Sequence, residues 1–98
     1  MNIQAMMREA QKIQKEMMKE KEAIDATIYD GESSFVKVKA NGKKEIVEIK
    51  IEQESLDKDD IEMLQDILQV AINDAFKKVD ADTEKRMGKY TKGMPGLF

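Results

Sequence analysis

Hydrophobic and polar residues alternate from Phe35 to Ile51, and this period of two predicts a pair of β-strands. Asn41-Gly42 separates the strands, and this dipeptide tolerates the positive φ angles of tight turns. A loop with an even number of residues keeps both apolar faces on the same side of the hairpin, so Val36 is expected opposite Val47 or Ile49. The apolar side consists of Val36, Val38, Ala40, Val47, Ile49 and Ile51.

The segment from Asn2 to Ile24 contains good helix formers and neither Gly nor Pro, which predicts one long helix. Its apolar residues recur at steps of three and four, as in a coiled-coil seam. Two interpretations stay open: the stripe packs on the sheet of its own chain, or it meets a second chain. A helix of about 35 Å overhangs strands of roughly 20 Å in either case. The stripe consists of Ile3, Met6, Ala10, Ile13, Met17 and Ile24, with Glu20 as its one polar member.

A second amphipathic helix is predicted after Ile51. Asp57 is a suitable N-cap, and the acidic residues that follow it lie where the helix dipole favours negative charge. A broad apolar stripe at helical spacing runs from Ile61 to Val79 and predicts the main core helix. Beyond Val79 the stripe thins and Gly88 is the expected C-cap, so the last two turns should extend into solvent.

A short strand is predicted between the first helix and the hairpin, in residues Asp25 to Glu32, with Asp30-Gly31 as its turn or bulge. The elements then follow the order α-β-β-β-α, with a three-stranded antiparallel sheet and two long flanking helices. This is an α+β fold. A chain of 98 residues is expected to form a single domain, residues 1–98.

The C-terminal stretch KYTKGMPGLF predicts a loosely ordered tail over residues 89–98, because Pro95 and its flanking glycines prevent a continued helix. Met94, Leu97 and Phe98 in this tail are nevertheless apolar. Either these side chains dock on the body of the protein, or they form a short tag that binds a partner.

The composition argues against enzyme chemistry. The chain has no Cys and no His, so it lacks a thiol nucleophile and an imidazole base, and we expect no cofactor and no small-molecule substrate. Asp57, Asp59 and Asp60 lack the Gly and Glu that a calcium loop of the EF-hand kind requires, so no metal site is predicted. No apolar run approaches the ~20 residues of a membrane span, which predicts a cytoplasmic protein with no membrane partner.

The formal net charge of −3 hides an uneven distribution. Residues 52–82 carry ten acids against three lysines, whereas residues 33–51 and 83–98 each sum to +3. A local basic face attracts a polyanion even when the whole protein is acidic. The basic residues of the first helix, however, are interleaved with glutamates, and this pattern equally fits an ordinary solvated face with i,i+4 pairs.

Several stretches resemble a known family when they are taken in order: QAMMREAQKIQKEM, VKVKANGKKEIVEIKI, LDKDDIEMLQDIL, NDAF and MGKYTKGMPGLF. Together they resemble the YbaB/EbfC family of bacterial nucleoid-associated DNA-binding proteins over nearly the whole chain. Lys58 stands where that family usually has a proline near the start of the second helix. Gly31-Glu32-Ser33-Ser34 stands in place of its longer glycine-rich run.

The resemblance implies an intertwined, tweezer-like homodimer that binds double-stranded DNA as a clamp and affects nucleoid organisation and gene expression. The implied DNA contacts are Arg8, Lys12, Lys15, Lys19, Lys85, Arg86 and Lys89, with Lys37, Lys39 and Lys50 as secondary contacts. The implied dimer interface consists of Ile3, Met6, Ala10, Ile13, Met17, Val36, Val38, Val47 and Ile49. The alternative function is a dimeric protein-interaction scaffold that uses the methionine-rich first helix and the PGLF tail.

Overall fold

The computed structural model describes residues 2–93, with their side chains up to residue 90. Helix α1 (Ile3–Ala26) is followed by strands β1 (Tyr29–Ser33), β2 (Val36–Ala40) and β3 (Ile46–Ile51) and by helix α2 (Asp60–Gly93). The strands form one antiparallel sheet in the order β1-β2-β3. The predicted α-β-β-β-α order and the three-stranded antiparallel sheet are confirmed.

The protein is elongated, with extents of 71 × 20 × 14 Å. Its radius of gyration is 19.4 Å, whereas a compact domain of this length would have about 13 Å. The cause is the length of the helices: the 34 residues of α2 span roughly 51 Å, far more than the strands. Within residues 2–93, neither helix is both long and apolar enough to cross a membrane.

Helix α1 is capped at both ends. The Asn2 side chain accepts a hydrogen bond from the Gln4 N–H at 3.0 Å, which satisfies one of the first free backbone donors. At the other end, the Thr27 N–H donates to the Ile24 carbonyl at 3.1 Å, and the Thr27 hydroxyl donates to the Ala23 carbonyl at 2.6 Å. The long first helix is therefore confirmed, and it ends two residues later than predicted.

The turn between β1 and β2 is Ser34-Phe35, with Ser34 in the left-handed region at φ 51°. The predicted turn or bulge at Asp30-Gly31 is wrong, because Gly31 lies in the middle of β1. The first strand also begins later than predicted, at Tyr29.

Gly31 is required by packing rather than by a turn. A Cβ at this position would lie 2.2 Å from the Ala71 carbonyl oxygen and 2.5 Å from the Ala75 backbone nitrogen. These atoms belong to the backbone of α2 and cannot move aside independently. The β1 backbone therefore lies directly against α2 at this point, and no side chain fits between them.

The loop between β2 and β3 has five residues, 41–45, and is followed by a bulge at Val47. A loop with an odd number of residues would by itself put the two apolar faces on opposite sides of the sheet. The extra residue in the bulge reverses this shift and brings the faces back together. The predicted even-numbered loop is wrong, and Val36 lies opposite Ile51 rather than Val47 or Ile49.

The main core lies between α2 and the sheet. Its fully buried members come from β2 and α2, and larger side chains of α2 and the β1–β2 turn pack around them. Small alanines on α2 let the helix approach the sheet closely, and the predicted role of α2 as the main core helix is confirmed. The buried residues are Val36, Val38, Ala40, Ala71 and Ala75, and Phe35, Leu64, Ile67, Leu68, Ile72 and Phe76 pack against them.

Helix α2 begins at Asp60, so the predicted N-cap at Asp57 is wrong. The side-chain hydrogen bond runs in the opposite direction to the expected one: the Asp60 carboxylate accepts from the Asp57 N–H at 3.0 Å. The Asp60 N–H donates to the Asp57 carbonyl at 2.9 Å and closes the same turn. The acids in the first turn of the helix are Asp60 and Glu62, as the helix dipole favours.

The end of α2 also differs from the prediction, because the helix continues through Gly88 to Gly93. The expected C-cap at Gly88 and the exit of the last turns into solvent are wrong, since α1 covers this end. We call the contact the helix-end cluster. It consists of buried Ile24, Met87 and Tyr90, with Ile13 and Met17 packed beside them. Residues 89–93 of the predicted loose tail are thus helical, and the remainder of that tail lies outside the described residues.

Candidate nucleic-acid interface

The basic residues predicted on α1 form one continuous row, which we call the basic stripe: Arg8, Lys12, Lys15 and Lys19. Their spacing of four, three and four places them on the same face of the helix. All four are exposed, and within residues 2–93 none has a carboxylate within ion-pair distance. The one ion pair within α1 joins Lys21 to Asp25 at 3.4 Å. Among the described residues, no ion pair therefore engages the basic stripe.

The basic stripe lies on the opposite side of α1 from the apolar stripe. At 3.6 residues per turn, the mean directions of the two rows differ by roughly 165°. Because Ile13 and Met17 of the apolar stripe pack toward the end of α2, the basic stripe points away from the rest of the protein. Gln11 lies with Arg8, Lys12 and Lys15 around a shallow depression on this outer face.

The three basic residues predicted near the end of α2 have different environments. Lys85 is exposed and has no ion-pair partner among residues 2–93. The Lys89 ammonium lies 5.0 Å from the centroid of the Tyr90 ring, within the range of a cation–π contact. Arg86 is half-buried, and its Nε lies 3.1 Å from a carboxylate oxygen of Asp82. Lys85 and Lys89 remain available to an external anion, whereas Arg86 already has an internal one.

A polar network that sequence reasoning missed holds Arg86 in place. Tyr29 is a buried residue, and its hydroxyl donates a partly buried hydrogen bond to Asp82 at 2.5 Å, which joins β1 to α2. Burial and the contact with Asp82 raise the pKa of Tyr29, while the hydrogen bond from Tyr29, with the charge of Arg86, lowers the pKa of Asp82. The i,i+4 spacing of Asp82 and Arg86 is visible in the sequence, but the partner 53 residues away is not.

The lysines of the sheet are less suited to bind phosphate than those of α1. Lys37 forms an ion pair with Glu52 at 3.2 Å, and Lys39 forms one with Asp30 at 3.3 Å. Both lie on the sheet face that α2 does not cover, among further carboxylates. This face is a mixed-charge surface rather than a basic one, so the secondary DNA contacts predicted there are opposed by neighbouring acids.

The residues predicted for the dimer interface fall into separate environments. Val36 and Val38 are 0% and 1% exposed within the single chain, so they belong to its core and offer no surface to a partner. Ile13 and Met17 pack against the helix-end cluster of the same chain. The remaining members are exposed: Ile3, Met6 and Ala10 on α1, and Val47 and Ile49 on β3.

The backbone groups at one edge of the sheet have side-chain partners, and those at the other edge do not within residues 2–90. On β1, the Asp74 carboxylate accepts from the Glu32 N–H at 3.1 Å, and the Lys78 ammonium donates to the Asp30 carbonyl at 2.6 Å. Side chains of α2 thus occupy backbone groups of the β1 edge. Within residues 2–90, whose side chains the structure describes, no side chain does the same for β3, whose residues are all exposed. A free edge strand is a template for pairing with another strand.

Comparison with known proteins assigns the chain to a family. The model of the YbaB/EbfC DNA-binding family matches residues 1–94. The chain belongs to this family. Similar members include a nucleoid-associated protein of Ligilactobacillus salivarius, 42% identical over 99% of this chain and 95% of the relative. Another is a nucleoid-associated protein of Chloroflexus aurantiacus, 45% identical over the full length of both.

The YbaB/EbfC assignment agrees with the fold. The chain is similar to the crystal structure of an uncharacterized protein, HP0035 of Helicobacter pylori, with a TM-score of 0.75 and 26% sequence identity. The match covers 92% of this chain and 97% of the other. The elongated arrangement of two long helices on a small sheet is therefore shared with a solved structure.

Proposed function

We propose that this YbaB/EbfC protein binds double-stranded DNA as a homodimer that clamps the duplex, and that it acts on nucleoid organisation and gene expression. The observation that carries the proposal is the basic stripe of α1. Four exposed cations that are free of ion pairs among the described residues follow one helix face over about 16 Å. Such a row suits contact with successive phosphates of a duplex, and the family description supports DNA as the partner.

The proposed dimer forms through β3. Its apolar side chains are 36–51% exposed in the single chain, although Ile46, Ile49 and Ile51 lie in strand register with buried residues of β2. Pairing of two β3 strands would satisfy the free edge and cover this apolar surface at the same time. The β1 edge is a poorer candidate because Asp74 and Lys78 already occupy it. The interface residues on β3 are Ile46, Val47, Ile49 and Ile51.

A dimer of this kind presents two basic stripes, one on each protruding arm. In the proposed clamp, each protomer contacts the phosphates on one side of the duplex. Lys85 and Lys89 lie on the neighbouring arm, α2, and add to the same field. The acidic stretch 52–82 repels the duplex elsewhere and so restricts it to the arms.

The DNA contacts are tested by a salt titration with a fluorescently labelled duplex. The logarithm of the affinity should fall linearly with the logarithm of the salt concentration. Replacing Arg8, Lys12, Lys15 and Lys19 by Gln should reduce the magnitude of this slope by roughly 0.9 for each phosphate that is no longer neutralised. A double replacement of Lys37 and Lys39 by Gln removes two charges that are ion-paired, and it should change the slope much less. An unchanged slope in the α1 variant would remove α1 from the interface.

The dimer is tested by sedimentation at micromolar concentration. Ile49→Asp places a charge on the exposed apolar face of β3 and should yield monomers, since an unpaired charge in an apolar interface is strongly unfavourable. Lys50→Asp is the matched control, because the next residue of the strand points to the polar face. A dimer that survives Ile49→Asp would place the interface elsewhere.

A second function is supported by the methionines of α1. Met6, Met7 and Met18 are 53–57% exposed, and flexible thioether side chains adapt to varied protein surfaces. If the duplex shows no saturable binding even at low salt, a dimeric protein-interaction scaffold becomes the better proposal.

A further inference from the structure

The apolar stripe of α1 is covered along only half of its length. Ile24, at the C-terminal end, is 4% exposed, and Ile13 and Met17 are half-buried against the helix-end cluster. Toward the N-terminus the exposure rises, to 53% at Met6 and 72% at Ile3. The same seam therefore continues for about 15 Å beyond Ile13 as an exposed apolar row.

Helix α2 runs along this seam in the opposite direction to α1. Tyr29, just after α1, contacts Asp82, whereas Ile24 shares the helix-end cluster with Met87 and Tyr90. The step from Tyr29 to Ile24 leads toward the N-terminus of α1, whereas the step between their partners, from Asp82 to Tyr90, leads toward the C-terminus of α2. The described end of α2, three residues after Tyr90, is therefore directed toward the exposed part of the stripe.

The next segment of the chain has the length and the chemistry to cover this row. Residues 94–98, MPGLF, lie outside the described residues and contain three apolar side chains, Met94, Leu97 and Phe98. Pro95 is incompatible with a helix interior, and five extended residues reach roughly 17 Å. The uncovered row from Ile13 to Ile3 spans about 15 Å. Residues 94–98 thus match it in length as well as in polarity.

We propose that residues 94–98 dock in the same chain on the exposed apolar row of α1, formed by Ile3, Met6 and Ala10. Docking extends the contact that Met87 and Tyr90 begin and stabilises the arm that carries the basic stripe. The basic stripe lies on the opposite face of α1, so the docked segment leaves it accessible. The inference therefore goes beyond the proposed DNA binding and does not depend on it.

Hydrogen exchange of the full-length chain tests the docking. Replacing Leu97 and Phe98 by Ser should accelerate exchange of the amides of Met6 to Lys12 roughly tenfold, because this part of α1 loses its cover. The amides of β2 should keep their protection, which shows that the core is intact. Val70→Ser is the matched control, since it also removes exposed apolar surface, at a site on α2 that is 56% exposed. Equal exchange of α1 in wild type and the double variant would overturn the proposal.

A spin label distinguishes docking within a chain from docking on a partner. The sequence has no Cys, so Gly96→Cys provides one attachment site and leaves the apolar residues of the segment in place. In isotope-labelled chains that carry the nitroxide and are diluted with unlabelled wild type, the amides of Ile3 to Ala10 should broaden, and the reduced label should restore them. No broadening would overturn docking. Broadening only when label and isotope are on different chains would overturn docking in the same chain.

Discussion

The close approach of β1 to α2 at Gly31 makes Gly31→Ala a sharp test of the packing. The added Cβ would lie 2.2 Å from the Ala71 carbonyl oxygen, 2.5 Å from the Ala75 nitrogen and 2.9 Å from the Ala75 Cβ. Two of these are backbone atoms of a hydrogen-bonded helix, so strand and helix must separate as units. Overpacking of a core typically costs about 1–3 kcal/mol, and we expect the upper end of this range.

The sign of the change is as informative as its size. Gly→Ala at an unstrained position raises the free energy of unfolding by about 0.4–1 kcal/mol, because alanine reduces the freedom of the unfolded chain. At Gly31 the clash should reverse that sign. A loss of about 3 kcal/mol corresponds to a fall in Tm of roughly 12–24 °C for a domain of this size. Urea unfolding measures the change in the free energy of unfolding directly. The protein concentration must be the same for both proteins, because self-association makes the apparent stability depend on concentration.

Gly88→Ala is the matched control within the same chain. Among the described residues, a Cβ at Gly88 would meet no atom within 4 Å beyond the neighbouring backbone of its own helix, and the residue lies inside α2. Alanine should therefore stabilise the protein by about 0.8 kcal/mol through its higher helix propensity. If Gly31→Ala were as stable as wild type, or more stable, the direct contact of the β1 backbone with α2 would be refuted.

Two further predictions concern contacts that join distant parts of the chain. Tyr29→Phe should lower the free energy of unfolding by about 1 kcal/mol in urea denaturation, since Asp82 loses a hydrogen bond. The raised pKa of Tyr29 means that the folded protein holds this proton more tightly, so wild-type stability should fall as the pH rises above about 10. In Tyr29→Phe, the loss of stability above about pH 10 that comes from Tyr29 should be absent. The same fall of stability with pH in both proteins would contradict this prediction. Gly42→Ala would place a Cβ 2.0 Å from the Ile24 carbonyl oxygen, so the β2–β3 loop should separate from α1 at a cost of about 1–3 kcal/mol. Hydrogen exchange should then accelerate at residues 41–45, and unchanged exchange there would contradict the contact.

The sequence predicts the elements better than their junctions. The apolar period of α1 and α2 depends on local spacing, and both stretches that it marks are helical, although α2 begins and ends at other residues than predicted. The five-residue loop and the bulge at Val47 have no such local signal. The alternation of apolar residues requires only that loop and bulge together keep the two apolar faces on one side of the sheet, and it does not specify either of them. The shared apolar side of the hairpin was predictable from alternation, whereas the pairing of Val36 with Ile51 was not.

Tertiary contacts explain the errors at glycines. Gly88 suggests a helix end by propensity alone, but packing of Met87 and Tyr90 on α1 outweighs a cost of about 1 kcal/mol for one helical glycine. Gly31 suggests a turn, yet its role is set by a helix some 40 residues further along the chain. At the candidate site, charge spacing indicates the basic stripe, while the internal partner of Arg86 becomes clear only once Tyr29 is brought beside Asp82.

The opposed stripes of α1 separate two kinds of constraint along a single helix. Substitutions at positions 8, 12, 15 and 19 would change surface charge without touching a packed side chain, so we expect them to have little effect on folding. Substitutions at positions 13, 17 and 24 would instead change packed side chains of the helix-end cluster, so we expect them to lower the stability of the fold. A designer, or natural variation, can therefore adjust the electrostatic strength of the outer face over a wide range while the architecture stays fixed.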